Sequence, residues 1–210
     1  MKKVLIASAL AFLMSAAYGV TAQTGVYFGG LLGASDPEAP SADQLNGTTA
    51  STTGFVWGTT LGFDYAINPN LLAGIELSQM SFGSINYYNE SSANVQDLST
   101  WGVQLMGTLT YLNQNGFNVF AKLGAIDEET DVWSISTVWF PWLSNVSSVS
   151  DWIPAMAVGV GYMPTDNWNI SLQYEHTVGT NWNADNPTQT ALGPMTENAF
   201  TLGVSYKIPV

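Results

Sequence analysis

The chain closes on Leu202-Gly203-Val204-Ser205-Tyr206-Lys207-Ile208-Pro209-Val210, an alternation of apolar with small or polar residues. In an extended strand this order sets Leu202, Val204, Tyr206 and Ile208 on one face and Gly203, Ser205 and Lys207 on the other. Seven earlier segments repeat the pattern: 25–33, 55–67, 71–82, 101–112, 117–126, 152–163 and 168–178, with 199–208 as the eighth. Phe55, Trp57, Leu61, Phe63 and Tyr65 oppose Val56, Gly58, Thr60, Gly62 and Asp64. Trp168, Ile170, Leu172 and Tyr174 oppose Asn169, Ser171, Gln173 and Glu175. Each segment matches the roughly 9–11 residues of a tilted strand that crosses a bilayer. Aromatic residues gather at the ends of the apolar faces, where two interfacial girdles would lie. A soluble sandwich or lipocalin would turn its apolar face inward or cover it with a second layer.

The connections support the same reading. Asn68-Pro69-Asn70, Asn113-Gln114-Asn115-Gly116 and Pro164-Thr165-Asp166-Asn167 are tight-turn sequences. They alternate with four long polar stretches, 34–54, 83–100, 127–151 and 179–198. The expectation is an all-β fold: an eight-stranded antiparallel up-and-down transmembrane β-barrel with short periplasmic turns and four long extracellular loops.

Residues 1–22 read as a cleaved signal peptide. Lys2 and Lys3 precede the apolar run Val4 to Met14, and Val20-Thr21-Ala22 offers small residues for cleavage. Ala17-Tyr18-Gly19 is the alternative cleavage sequence. The apolar run is too short for an anchor helix. Export through a Sec-type leader places residues 23–210, one barrel domain, in a bacterial outer membrane. The absence of cysteine excludes disulfides, lipoprotein processing and cysteine-bound metal. Beyond the leader, Lys122 and Lys207 are the only basic residues against 16 acidic ones, which excludes nucleic acid as a partner.

Several short stretches, in this order, resemble the eight-stranded transmembrane domain of the outer membrane protein A superfamily, which includes the opacity-type surface proteins. They are Gly74-Ile75-Glu76-Leu77, Gly102-Val103-Gln104-Leu105, Leu123-Gly124, Pro154 with Val158-Gly159-Val160-Gly161-Tyr162, and Leu202-Gly203-Val204-Ser205-Tyr206-Lys207. The resemblance implies a lumen where acidic and basic residues pair. Glu76 keeps the acidic position and Lys122 a basic one, while Thr108, Gly161 and Ser171 replace other lumen charges. A buried ammonium needs a carboxylate, and Glu76 is the first choice for Lys122, with Glu175 or Asp64 as substitutes. Inward glycines such as Gly58, Gly62, Gly74, Gly159 and Gly161 leave a wet interior as the alternative to a filled one.

No catalytic or metal constellation stands out, and no cofactor is expected. His176 is the single histidine, and Glu175 beside it falls on the opposite strand face. Gly159-Val160-Gly161 precedes Pro164 and a strand, so it is no dinucleotide loop. The long stretches hold most of the acid, including Asp36, Asp127, Glu128, Glu129, Asp131, Asp151 and Glu197, read as solvated loop charge. One stretch differs: Trp133, Trp139, Phe140 and Trp142 form an aromatic segment. It would pack on the barrel rim or serve as a surface-binding tip.

The expected function is a non-enzymatic outer-membrane protein with a structural or surface-interaction, adhesin-like role. Its partners would be outer-membrane lipid and lipopolysaccharide, the barrel assembly machinery, and a host surface or hydrophobic ligand. A narrow porin or small-molecule conduit is the first alternative, and a lipid-A-modifying barrel enzyme the second.

Overall fold

A computed structural model describes residues 19–37, 48–51, 54–89, 94–136, 144–179 and 196–210. The strands are β1 (Gly25–Pro37), β2 (Thr48–Ser51), β3 (Gly54–Asn68), β4 (Leu71–Asn89), β5 (Asn94–Leu112), β6 (Phe117–Ser136), β7 (Ser144–Tyr162), β8 (Trp168–Thr177) and β9 (Glu197–Pro209). Every pairing is antiparallel, and β1 bonds to β3 on one side and β9 on the other. With β4 joined to β5, the sheet closes on itself as an eight-stranded barrel. The four-residue β2 is an addition, paired only with Asn86–Asn89 of β4. Closure satisfies the backbone polar groups that lipid cannot.

The burial pattern follows the alternation of the sequence. Phe55, Leu61, Leu77, Leu105, Leu123, Leu172 and Leu202 are exposed outside the barrel, and Leu123 keeps 69% of its surface. Their opposite neighbours point inward and are mostly buried. Only lipid makes such an outer face stable. Aromatic pairs mark the lower interface: Trp168 and Tyr206 meet at 5.0 Å, Phe117 and Tyr162 at 5.1 Å.

Side-chain amides and hydroxyls organise the three tight turns. Asn68 Oδ1 accepts from the Asn70 amide at 2.9 Å, and Asn70 Nδ2 donates to Leu112 O. Gly116 takes φ +84°, where a side chain would be strained, and its amide bonds to Asn113 O. Thr165 Oγ1 accepts from the Trp168 amide, and Asn167 Nδ2 donates to Lys207 O. Beneath these turns, Val20 packs against Leu112 and Met163, closing this end of the barrel.

At the opposite end the strands run farther than the apolar faces suggest. Strands β4, β5, β6 and β7 have 19 or 20 residues, about twice the length a bilayer needs. Much of 83–100 and 127–151, expected as loop, is therefore paired sheet. Backbone ladders persist there because inter-strand hydrogen bonds need no lipid, while the loss of apolar alternation hides the strands in the sequence. At the start of this raised sheet β4 carries a bulge between Ser81 and Gly83, with Gly83 at φ +90°. On β6 the outward face changes from apolar to acidic at Asp127, cross-strand from exposed Trp152. The sheet above this girdle stands outside the membrane.

Candidate functional site

Among the described residues, the lumen is where the fold concentrates charge out of solvent. From the turn end upward, the inward positions form successive layers. Lowest, Lys207 Nζ lies 2.5 Å from Asp64 Oδ2, both side chains nearly buried. Beside them Asn118 Nδ2 donates to Asn169 Oδ1 at 3.0 Å. Above, Lys122 Nζ reaches Glu76 Oε1 at 2.7 Å and Oε2 at 2.9 Å. Tyr27 Oη and Ser78 Oγ donate to the same carboxylate at 2.8 and 3.0 Å. The ammonium also sits 5.3 Å from the Phe120 ring centre. Glu76 thus carries the full set of donors that a buried carboxylate requires. The sequence offers Asp64 to Lys122 as a substitute partner, and in the structure Asp64 bonds to Lys207 instead.

Inward glycines make room for rings in this region. A Cβ on Gly62 would collide with the Tyr27 ring, and one on Gly159 with the Phe120 ring. These glycines, which leave a wet lumen open in the sequence, are covered by aromatic side chains. What remains is a cavity of about 80 Å³ between the two ion pairs, lined by Tyr27, Asp64, Glu76, Asn118, Lys122 and Lys207. It holds no more than a few waters.

The next layer is amide-rich. Gln173 Nε2 donates to Glu175 Oε2 at 2.9 Å, and Gln104 Nε2 to Met80 Sδ at 2.8 Å. Higher still, the interior stops being polar. Leu31, Val56, Met80, Phe82, Met106, Ile126, Ile153, Ala155 and Ala199 form one buried apolar cluster. Val56 and Ile126 have no accessible surface, and Phe82 and Ile153 keep 2%. The inward face, which already counts Val56 in the sequence, becomes mostly apolar at this height, and an apolar stopper fills the upper lumen.

Above the stopper stand Glu128 and Glu197, buried to 0% and 2% exposure. The sequence places both in solvated loops, whereas the strands extend and carry them inward. Glu197 lies three residues beyond Phe200, the last exposed apolar residue of β9, and outside the lipid-facing band. Its amide donates to Thr177 Oγ1 at 3.0 Å. Burial, with the charges of Glu128 and Asp36 nearby, pushes its carboxyl up to about 9.

His176 sits on the outer face at the upper rim. Its Nδ1 lies 2.9 Å from Asn198 Oδ1, which also accepts from Tyr174 Oη at 2.7 Å. Its cross-strand neighbours are Met156 and Asn198, neither of them a nucleophile. Among the described residues no group of three or more His, Cys, Asp or Glu is gathered to hold a metal ion. Trp133 lies within β6, in register with Asp97 and Val146. Trp139, Phe140 and Trp142 lie outside the described residues.

The profile of a family described as outer membrane protein beta-barrel domain matches residues 5–207. No curated protein matches the chain by sequence. Among solved structures, OprG of Pseudomonas aeruginosa is similar with a TM-score of 0.53 and 14% identity, covering 90% of this chain and 98% of its own. Neisserial surface protein A gives 0.51 and 13%, covering 89% and 99%. Ail, the attachment invasion locus protein of Yersinia pestis, gives 0.50 and 14%, covering 91% and 99%. At these identities the likeness extends to the fold.

Two outcomes follow from the lumen. Lys122→Met strands the Glu76 carboxylate, and reversible unfolding in lipid should show a loss of roughly 3–5 kcal/mol. Adding Glu76→Gln should restore most of it; additive losses in the double variant would show that the two groups do not couple. For Glu197, the neutral carboxyl is the form that the fold favours. Its stabilisation is complete below the ordinary carboxyl range and is lost as pH rises through about 9. The temperature at which the folded band disappears in cold-loaded gels should therefore fall between pH 7 and pH 10. Glu197→Gln should flatten that dependence, and an unchanged slope would remove Glu197 as its source.

Proposed function

Because the chain belongs to the outer membrane protein β-barrel family, we propose that it is a non-conducting, non-enzymatic surface protein of the Gram-negative outer membrane, acting through the sheet and loops that rise above the bilayer. The observation that carries this reading is the combination of a stoppered lumen with strands twice the membrane-spanning length. A conduit needs a continuous polar path, and Val56, Phe82, Ile126 and Ile153, each with at most 2% of its surface accessible, leave almost none to line one. The structure therefore supports an interaction role over a porin. An esterase acting on lipid A would need a nucleophile beside His176, and its cross-strand neighbours supply none.

The raised sheet presents Asp127, Glu129 and Asp131 on successive outward positions of β6, beside Ser148 and Ser150 of β7. Carboxylates at this height suit contact with lipopolysaccharide through divalent cations. Insertion by the barrel assembly machinery is part of the same reading. Trp139, Phe140 and Trp142, in the sequence between β6 and β7, would supply the apolar contact area by which a host surface or hydrophobic ligand is held. Burying such side chains is worth roughly 1.5–3 kcal/mol each. The fold is shared with a protein named for attachment, which fits the reading without specifying the partner.

Two measurements bear on it together. The purified barrel in planar bilayers should give no discrete channels. Bacteria displaying the triple variant Trp139→Ser, Phe140→Ser, Trp142→Ser should keep a heat-modifiable barrel and lose most of their adherence to an epithelial monolayer. Stable channels would move the protein to the transport class, and unchanged adherence would remove the aromatic tip as the binding element.

A further inference from the structure

The end of the barrel below the tight turns is closed by residues that a leader boundary after Ala22 would discard. Val20 retains 4% of its surface, packed on Leu112 at 0% and Met163 at 6%, with Ala22 against the same cluster. The Ala22 amide donates to Pro69 O at 3.0 Å, tying the segment to the β3–β4 turn. Two residues on, Thr24 Oγ1 accepts from the Ala66 amide and Thr24 O from the Val210 amide. The chain from Val20 to Thr24 is thus a strap across the barrel floor. Met163 also lines the charged cavity between the ion pairs. Without Val20, water would reach Met163 and Leu112.

We propose that the leader is removed between Gly19 and Val20, so that the mature protein begins with its own floor residue. The inference rests on the export reading. Ala17 and Gly19 provide small residues at the third and first positions before this bond, the pattern that leader-removing endopeptidases accept. Water adds across the Gly19–Val20 peptide bond; the leader leaves with a Gly19 carboxylate, and the barrel keeps the nitrogen as the Val20 α-ammonium. Gly19 itself takes φ +77°, a backbone conformation that favours glycine. Leader removal precedes barrel assembly, so packing does not shield the bond. It decides which product is complete. A cut after Ala22 would yield a barrel whose floor side chains, Leu112 and Met163, face water.

Intact mass and N-terminal sequencing of the full-length gene product, purified from the outer membrane of a Gram-negative host, should return Val20 as the first residue. Gln23 as the first residue would overturn the proposal and leave the export reading standing. Retention of Met1 in a protein that never reaches the membrane would overturn both. A second comparison tests the floor itself. Two forms exported behind another protein's leader, one starting at Val20 and one at Gln23, should differ in unfolding rate in denaturant, the shorter being roughly tenfold faster. Val20→Asp in the longer form should reproduce the faster rate. Equal rates in all three would show that Val20 is no floor residue.

Discussion

Closure of the β-sheet in lipid is the constraint on which the rest of this molecule depends. A bilayer core offers no hydrogen-bond partner to an open edge, so β1 must find β9, and the ladder from Gly25–Pro209 to Pro37–Glu197 does so without a break. Eight strands enclose a space too narrow for a water channel unless the side chains inside are small. The chemistry of the interior follows from how that space is filled, because every inward polar group is removed from water on both sides. Near the turn end the solution is ionic: two lysines each meet one carboxylate, and Tyr27 and Ser78 supply further donors to Glu76. Toward the other end it is apolar, with Val56, Phe82, Ile126 and Ile153 packed in the centre.

This division has a functional consequence. The lower lumen, with its ion pairs and small cavity, could by itself suggest a permeation path. The stopper above it separates that cavity from the upper mouth, where Glu128 and Glu197 are buried. Burial first, and then the charges of Glu128 and Asp36, favour a bound proton on Glu197, which is why its carboxyl rises rather than falls. The barrel is then a pedestal, and the raised strands β4 to β7 are what it holds up.

Much of this was legible in the sequence because lipid imposes a strict period of two. Leu202 to Ile208 alternate without a lapse and Phe55 to Tyr65 with only Thr59 breaking the outward apolar row, so face, strand number and the turns follow directly. The Glu76 and Lys122 positions could be placed on the inward face by the same counting. What lipid does not touch was not legible. Asn94–Thr100 and Ser144–Asp151 pair as sheet, yet their polar composition reads as loop once the apolar face ends. Glu128 and Glu197 were misplaced for that reason. Continuing the parity of Lys122, Gly124 and Ile126 by one step would have turned Glu128 inward, and continuing that of Lys207 along β9 would have turned Glu197. The Asp64–Lys207 pair depended on register between β1, β3 and β9, which alternation does not encode.

The dryness of the upper lumen is the claim on which the functional reading turns, and the chain is well suited to measuring it because it contains no cysteine. Single cysteines at Val56, Met80 and Ile126 would report on water in the stopper, with Ser150→Cys on the raised sheet as the accessible control. A small charged thiol reagent added to intact cells should label the control to completion while the three lumen positions stay unlabelled. Labelling of the lumen positions at a rate near that of Ser150→Cys, in a barrel that still runs as a folded band, would mean a continuous aqueous path and would contradict the stoppered barrel described above.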